Sequence, residues 1–316
     1  MRVSLSVRPS VLADALLSGE VVPDGLELDV FRPETIDANS RAMLELRYDV
    51  GEMSIATFVR AVERGLPLVA LPVFTSGRHF VHSGICLARG SGVAGVDDLA
   101  GRWIGLPQYW ISSCVWQRLV LQQMHGVRPE DVRWVSVEPE RFDEVGLPSG
   151  VELRLEEGRG LAELMAEGAI DACLVQGARA IPPDIAAVST PAYPDCVAAE
   201  REYYEKTGVL PVMHLTVARR SLVEEHPEVV PALLDAYRRS KEIGERRLDA
   251  RWPLPPAGHR IEALRELVGG DPFAFGISPN RRAIEAFLAT ALDQGLVSRP
   301  VGLDELFVAA LPPEYR

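Results

Sequence analysis

Two stretches decide how this chain is read: Tyr48-Asp-Val-Gly-Glu-Met-Ser54 and, some way on, Phe74-Thr-Ser-Gly-Arg-His-Phe-Val-His-Ser83. Each follows a short apolar run, and each crowds small, ionisable and hydrogen-bonding residues together. The run before the second, Leu68 to Phe74, is nearly all apolar, as expected of a strand buried on both faces. Working outward, Val3–Val7 and Gly25–Phe31 read as strands, as does the short segment Tyr48–Val50. Ser10–Leu17, Glu34–Arg47 and Ser54–Arg64 read as helices. This alternation predicts an α/β fold with a parallel or mixed sheet, whose ligands bind beyond the carboxyl ends of the strands. Both quoted stretches lie at such ends.

A second unit repeats the logic. Ile85–Arg89, Arg133–Val137 and Ile170–Val175 are expected strands, Val96–Pro107 a helical turn leading into another, and Gln108–Ser113 a loop. Helices run from that loop to about His125 and from Gly160 to Glu167. Ile181–Pro194 reads as loop, and Val212–Ala218 as a strand crossing back. From Leu222 onward the pattern is mostly helical, with one helix from Glu225 to about Asp249, a proline-dense break over Arg251–Gly258 and a last helix over Asp304–Leu311. The reading is therefore a two-lobed α/β fold with a ligand cleft between the lobes and a helical C-terminus. Lobe 1 is 1–84 plus 213–316, and lobe 2 is 85–212.

A chain of 316 residues that is 47% hydrophobic has enough apolar material for packed cores. A formal net charge of −12 argues against a nucleic-acid surface and against anionic lipid, while leaving room for a locally cationic site. No stretch reaches the ~18 to 20 apolar residues of a membrane span, and Met1–Pro9 has no export-signal pattern, so a cytoplasmic protein is expected. Cys86, Cys114, Cys173 and Cys196 lack metal-type spacing and read as free thiols.

In the same order along the chain stand Tyr48–Ser54, Pro72-Val-Phe74, His82-Ser83, Leu99-Ala-Gly-Arg-Trp-Ile-Gly-Leu-Pro-Gln-Tyr109 and Val115-Trp116. They are followed by Gly168-Ala-Ile-Asp-Ala172, Thr207-Gly-Val-Leu-Pro-Val-Met-His214, Asp271–Arg281 and Gln294-Gly-Leu296. Together these resemble the 4,5-dihydroxyphthalate decarboxylase family, cytoplasmic enzymes similar to type II periplasmic binding proteins. The resemblance runs from about Val3 to Val308. It implies that fold, a small carboxylic acid as substrate and a carbon–carbon lyase reaction. The chain departs from the family pattern at Val81, where an Arg is usual, and at Gln108, where an acidic residue is usual; both imply a retuned substrate. The rival readings are dehydration or rearrangement of a ring acid on the same scaffold, and a non-catalytic binding protein for an aromatic acid.

The candidate catalytic residues are His82, Glu52, His214 and His79. Imidazole exchanges protons near neutral pH, and Glu52 reads either as an acid with a raised pKa or as the partner that orients a histidine. Helix capping is the plain alternative for Glu52, and a structural role for each histidine. The candidate substrate-binding residues are Arg78 and Arg8, for a carboxylate, with Ser54, Ser83, Gln108, Tyr109, Ser112 and Ser113 as hydrogen-bonding groups. The last four precede or open a helix whose free N–H groups suit an anion. No nucleotide motif or organic cofactor is visible and no metal site is assigned; a divalent metal and a homo-oligomer stay open.

Overall fold

The computed structural model describes residues 1–140, 146–176, 181–248, 253–254 and 259–316. Its first sheet is built from β1 (Arg2–Ser6), β2 (Glu27–Phe31), β3 (Val50–Ser54) and β4 (Leu68–Leu71), joined by the late strand β11 (His214–Arg219) in the order β2-β1-β3-β11-β4. β1 runs parallel to β2 and β3, while β11 inserts antiparallel between β3 and β4. Helices α1 (Asp14–Leu17), α2 (Ile36–Leu44) and α3 (Ile55–Glu63) fill the connections.

The second sheet has the order β10-β5-β9-β6-β7-β8, from β5 (Ile85–Ala88), β6 (Trp103–Leu106), β7 (Arg133–Ser136), β8 (Glu152–Leu155), β9 (Ala172–Leu174) and β10 (Ser189–Pro191). It carries α4 (Ser112–His125), α5 (Leu161–Ala166), α6 (Pro183–Val188) and α7 (Cys196–Thr207). The chain then returns through β11 to α8 (Arg220–Glu225), α9 (Val229–Arg247), α10 (Ile261–Val268), α11 (Arg281–Asp293) and α12 (Leu303–Leu306). This is the two-lobed α/β architecture expected from the sequence.

The two crossings between sheets run side by side. Arg78 forms a bridge with Val212, and the Met213 N–H donates to the Gly77 carbonyl at 2.8 Å. Gly77 has a positive φ of 65°, and a Cβ there would lie 2.9 Å from the His214 ring, so only glycine lets the first crossing rest on that histidine. Trp116 of α4 donates its indole N–H to the Val212 carbonyl at 2.9 Å and packs on Phe287 of α11. The C-terminal helices are thereby bound into the core that joins the lobes.

Several local readings shift. The third strand is Val50–Ser54 and not Tyr48–Val50, so Glu52 and Ser54 are strand residues. The sequence reading stopped the strand at Val50, just before Gly51. In the fold it is needed inside the strand, because a Cβ there would meet Met43 Sδ at 2.5 Å. The expected loop Ile181–Pro194 contains α6 and β10. The expected helix from Glu225 begins instead at Val229 as α9, after α8 ends at Glu225, and its expected end near Asp249 lies outside the described residues. Of the proline-dense break, only Pro253–Leu254 is described. The last helix is the short α12, ending at Leu306. All four cysteines are free, with Cys86, Cys114 and Cys173 buried.

Candidate active site

The register of β3 on β11 builds the centre of the site. Ser54 pairs with His214 and Glu52 with Thr216, so Glu52 and His214 are diagonal neighbours on one face of the sheet. His214 Nδ1 lies 3.3 Å from Glu52 Oε1. Ser76, on the loop after β4, bridges them: its hydroxyl donates to Glu52 Oε1 and lies 2.9 Å from His214 Nδ1. The second carboxylate oxygen accepts the Arg8 backbone N–H at 3.2 Å. Arg8 and Ser76 follow the carboxyl ends of β1 and β4, and His214 opens the antiparallel β11 at that same edge of the sheet, where ligands of such sheets bind.

Glu52 is 2% exposed, and burial alone would raise its pKa. The hydrogen bond and charge of His214, the Ser76 hydroxyl and the Arg8 N–H together outweigh that and hold the carboxyl below its usual value. Of the two chemical readings of Glu52, this favours the partner that orients a histidine over the raised-pKa acid. Its backbone is held as well. The Asn39 amide donates to the Glu52 carbonyl at 2.7 Å and the Ser6 carbonyl at 2.8 Å, and receives the Ser6 hydroxyl at 2.6 Å. His214 Nε2 bonds no protein atom among the described residues, nor does the Arg8 guanidinium.

The opposite lobe meets this edge through serines. Ser54 Oγ lies 2.7 Å from Ser112 Oγ, which accepts the Ala56 N–H at 3.2 Å. Ser54 opens α3 without capping it, its side chain being spent on Ser112. A cavity of about 450 Å3 lies beside this contact, between Ser40 and Thr57 on one side and Gln108 and Glu138–Glu140 on the other. Gln108 donates to the Pro139 carbonyl at 2.7 Å, and Ser113 is half-buried on the first turn of α4. The N–H groups of Tyr109 and Trp110, in the loop before that helix, are taken by the Glu140 carboxylate.

Other sequence candidates lie elsewhere. His82 is 1% exposed, and edge-on contacts with Tyr193, Tyr203 and Phe80 surround its ring. Neither ring nitrogen has a hydrogen-bond partner among the described residues, and burial lowers its pKa to about 3. The neighbouring Ser83 hydroxyl is also buried without a partner. His79 Nδ1 bonds the Phe80 carbonyl at 2.8 Å, and burial lowers that histidine to about 4. The Arg78 guanidinium donates to the carbonyls of Pro272 and Leu210 and faces a different cavity. The Tyr109 ring is fully buried under the Arg118 guanidinium, 3.7 Å from its centroid.

Sequence reading missed Ser76, Asn39, Arg118 and Glu140. Arg118 is 1% exposed and joins Tyr109 O to Gln294, both at 2.8 Å. Only Ser76 carried a local signal, lying within the quoted Phe74–Ser83 stretch.

The site is thus a histidine held by a buried carboxylate and a serine hydroxyl, with Arg8 beside it, on a fold of the periplasmic-binding-protein class. A periplasmic aliphatic sulphonate-binding protein from Escherichia coli superposes with a TM-score of 0.53 at 13% identity, over 97% of each chain. A ligand-binding component of an ABC-type import system from Staphylococcus aureus superposes with a TM-score of 0.51 at 12% identity, over 100% of this chain and 98% of that one. No family model matches. Among curated proteins, a 4,5-dihydroxyphthalate decarboxylase from Comamonas testosteroni is 32% identical over 307 residues, 92% of each chain. One of the same name from Pseudomonas putida is 31% identical over 181 residues, 55% of this chain and 70% of its own length. The chain belongs to the 4,5-dihydroxyphthalate decarboxylase family, and with it to the carbon–carbon lyases.

Proposed function

We propose that the protein decarboxylates a small hydroxylated ring acid, with the ring dicarboxylate in its relatives' names as the first substrate to test, and that His214 delivers the proton. The observation that carries this reading is the Glu52–Ser76–His214 cluster. An ionised, buried carboxylate holds Nδ1 and leaves Nε2 without a protein partner among the described residues. Glu52 stabilises the imidazolium, orients the ring and keeps the proton on Nε2 available.

In this scheme Arg8 receives a substrate carboxylate, its guanidinium being uncommitted. His214 Nε2–H protonates the ring carbon that bears the leaving carboxylate, and a hydroxyl para to that carbon stabilises the resulting cation. The C–C bond then breaks, its electrons return to the ring, and CO2 departs. Water or the substrate hydroxyl reprotonates His214. Ser54, Ser112, Ser113 and Gln108 line the approach from the two lobes, and closure of the lobes onto the ring excludes water from the proton transfer. The scheme uses no organic cofactor, and a cytoplasmic location goes with it.

The test is CO2 release from purified protein offered a panel of hydroxylated mono- and dicarboxylic ring acids, followed by mass change of the product. Turnover abolished in His214→Gln supports the reading. Saturable binding without CO2 release, or release indifferent to His214, overturns it.

A further inference from the structure

A second cavity, of about 200 Å3, opens beside Arg78 of the first crossing and shares no residue with the 450 Å3 interlobe cavity. Its walls include Arg78, Tyr204, Gly208, Val268, Asp271 and Arg282, so α7 contributes one side and α10 and α11 the other. Arg78 is nine-tenths buried. Its Nε reaches the Pro272 carbonyl at 3.3 Å and its Nη1 the Leu210 carbonyl at 3.1 Å. No carboxylate pairs with it among the described residues, and Nη2 bonds no protein atom there. Its direct hydrogen bonds go only to neutral carbonyls, and the nearby Asp271 charge offsets only part of the cost of burying it, so an anion beside it would relieve the rest.

The charges around the cavity lean the same way. Arg282, exposed at the rim, bonds only the Thr207 carbonyl at 3.4 Å and lies across Gly208, where a Cβ would come within 2.2 Å of its Nη1. Gly208 also has the positive φ of 63° that closes α7, so the glycine serves the turn and the arginine together. The one acidic lining residue, Asp271, is already held by Lys241 and by the Phe273 N–H at 2.8 Å.

We propose that this cavity is a binding site for a small oxyanion, taken between Arg78 and Arg282 and distinct from the substrate cleft. Its volume is below the ~300 Å3 at which drug-sized ligand pockets begin, which suits an anion of the size of acetate, succinate or phosphate. The occupant would touch helices from both lobes beside the crossing segments and so bear on how the lobes close. The site stands whether or not the decarboxylase reading does, because none of its residues enters that scheme.

The test is calorimetric titration at constant ionic strength with acetate, succinate and inorganic phosphate. It uses the wild-type protein, Arg282→Gln, Ala274→Glu and the cleft variant Glu52→Gln. Ala274 lines the cavity, and the Glu variant supplies a carboxylate from within while leaving Arg78 in place. The expected result is one saturable site in the wild type and in Glu52→Gln, weakened at least tenfold in Arg282→Gln and lost in a folded Ala274→Glu. Tighter carboxylates than phosphate would assign an organic acid, and the reverse order an inorganic anion. No saturable heat from any of the three, or binding lost in Glu52→Gln and kept in both cavity variants, overturns the proposal.

Discussion

Of the three histidines singled out in the sequence, His214 and His82 are treated oppositely by the fold. His214 sits at the edge of the first sheet with a carboxylate, a hydroxyl and a partly open face. His82 sits beneath α7 in a box of aromatic rings, with no partner for either nitrogen among the described residues. The first has what proton transfer needs: a counter-charge, a fixed ring and access. The second has lost its charge to desolvation, and its environment works against proton exchange near neutral pH. Being a histidine next to a buried strand is therefore not enough, because the neighbours decide the chemistry.

The strongest attempt to break this contrast is substitution of each side in turn. Glu52→Gln and His214→Gln should each lower kcat by roughly 10²–10⁴ with the fold retained by circular dichroism, the size expected of a positioned proton donor. His82→Phe should leave kcat within roughly tenfold of wild type, since an apolar ring replaces an uncharged one in an apolar box. A loss in His82→Phe as large as that in His214→Gln would erase the distinction.

Ser76→Ala sharpens the same side. It removes the bridge but leaves the direct Glu52–His214 contact, so a fall in kcat of roughly tenfold to a hundredfold is expected, with KM little changed. The pH profile of kcat should shift as well, because the hydroxyl helps to hold Glu52 ionised. An unchanged profile would reduce Ser76 to a packing residue.

Stability against pH separates the regions thermodynamically. The folded pKa of His82 is about 3, below the ordinary 6.5, so between these values the unfolded chain binds more protons. Stability from this group is complete above pH 6.5 and falls as the pH drops toward 3, by roughly 1.5 kcal/mol between pH 6.5 and 5. Urea unfolding of His82→Phe should lose about that much of the acid sensitivity, while His79, lowered to about 4, keeps its share in both proteins. Glu52 has the same sign at lower pH: its folded pKa is depressed, so its contribution is lost as the pH falls through that value.

The smallest effect is expected where the lobes touch. Ser112→Ala removes the hydrogen bonds to Ser54 and to the Ala56 N–H, and should cost about 0.5–1.5 kcal/mol in urea unfolding. A change in KM larger than the change in kcat would mean that this contact acts on substrate entry.

Much of this molecule was legible in its residues. Strand and helix alternation is a local property carried by side-chain periodicity, so the two-lobed α/β architecture and the order of family motifs could be read directly, and Glu52 and His214 were both singled out. The partners of those residues could not be. Glu52 read as a loop residue because a carboxylate inside a fully buried strand is unfavourable unless something compensates it. The compensation comes from Ser76, from the Arg8 N–H and from a histidine on a strand that returns only after the whole second sheet. Which face of β11 meets which face of β3 is a matter of register between distant segments, and one residue of slip would turn His214 away. The same nonlocal packing put Arg78 over two carbonyls beside its own cavity and His82 among rings. Sequence alone determined the kind of fold and the stock of reactive groups. Tertiary structure decided which of them keep their charge, because burial and partners fix that and both are set by residues far along the chain.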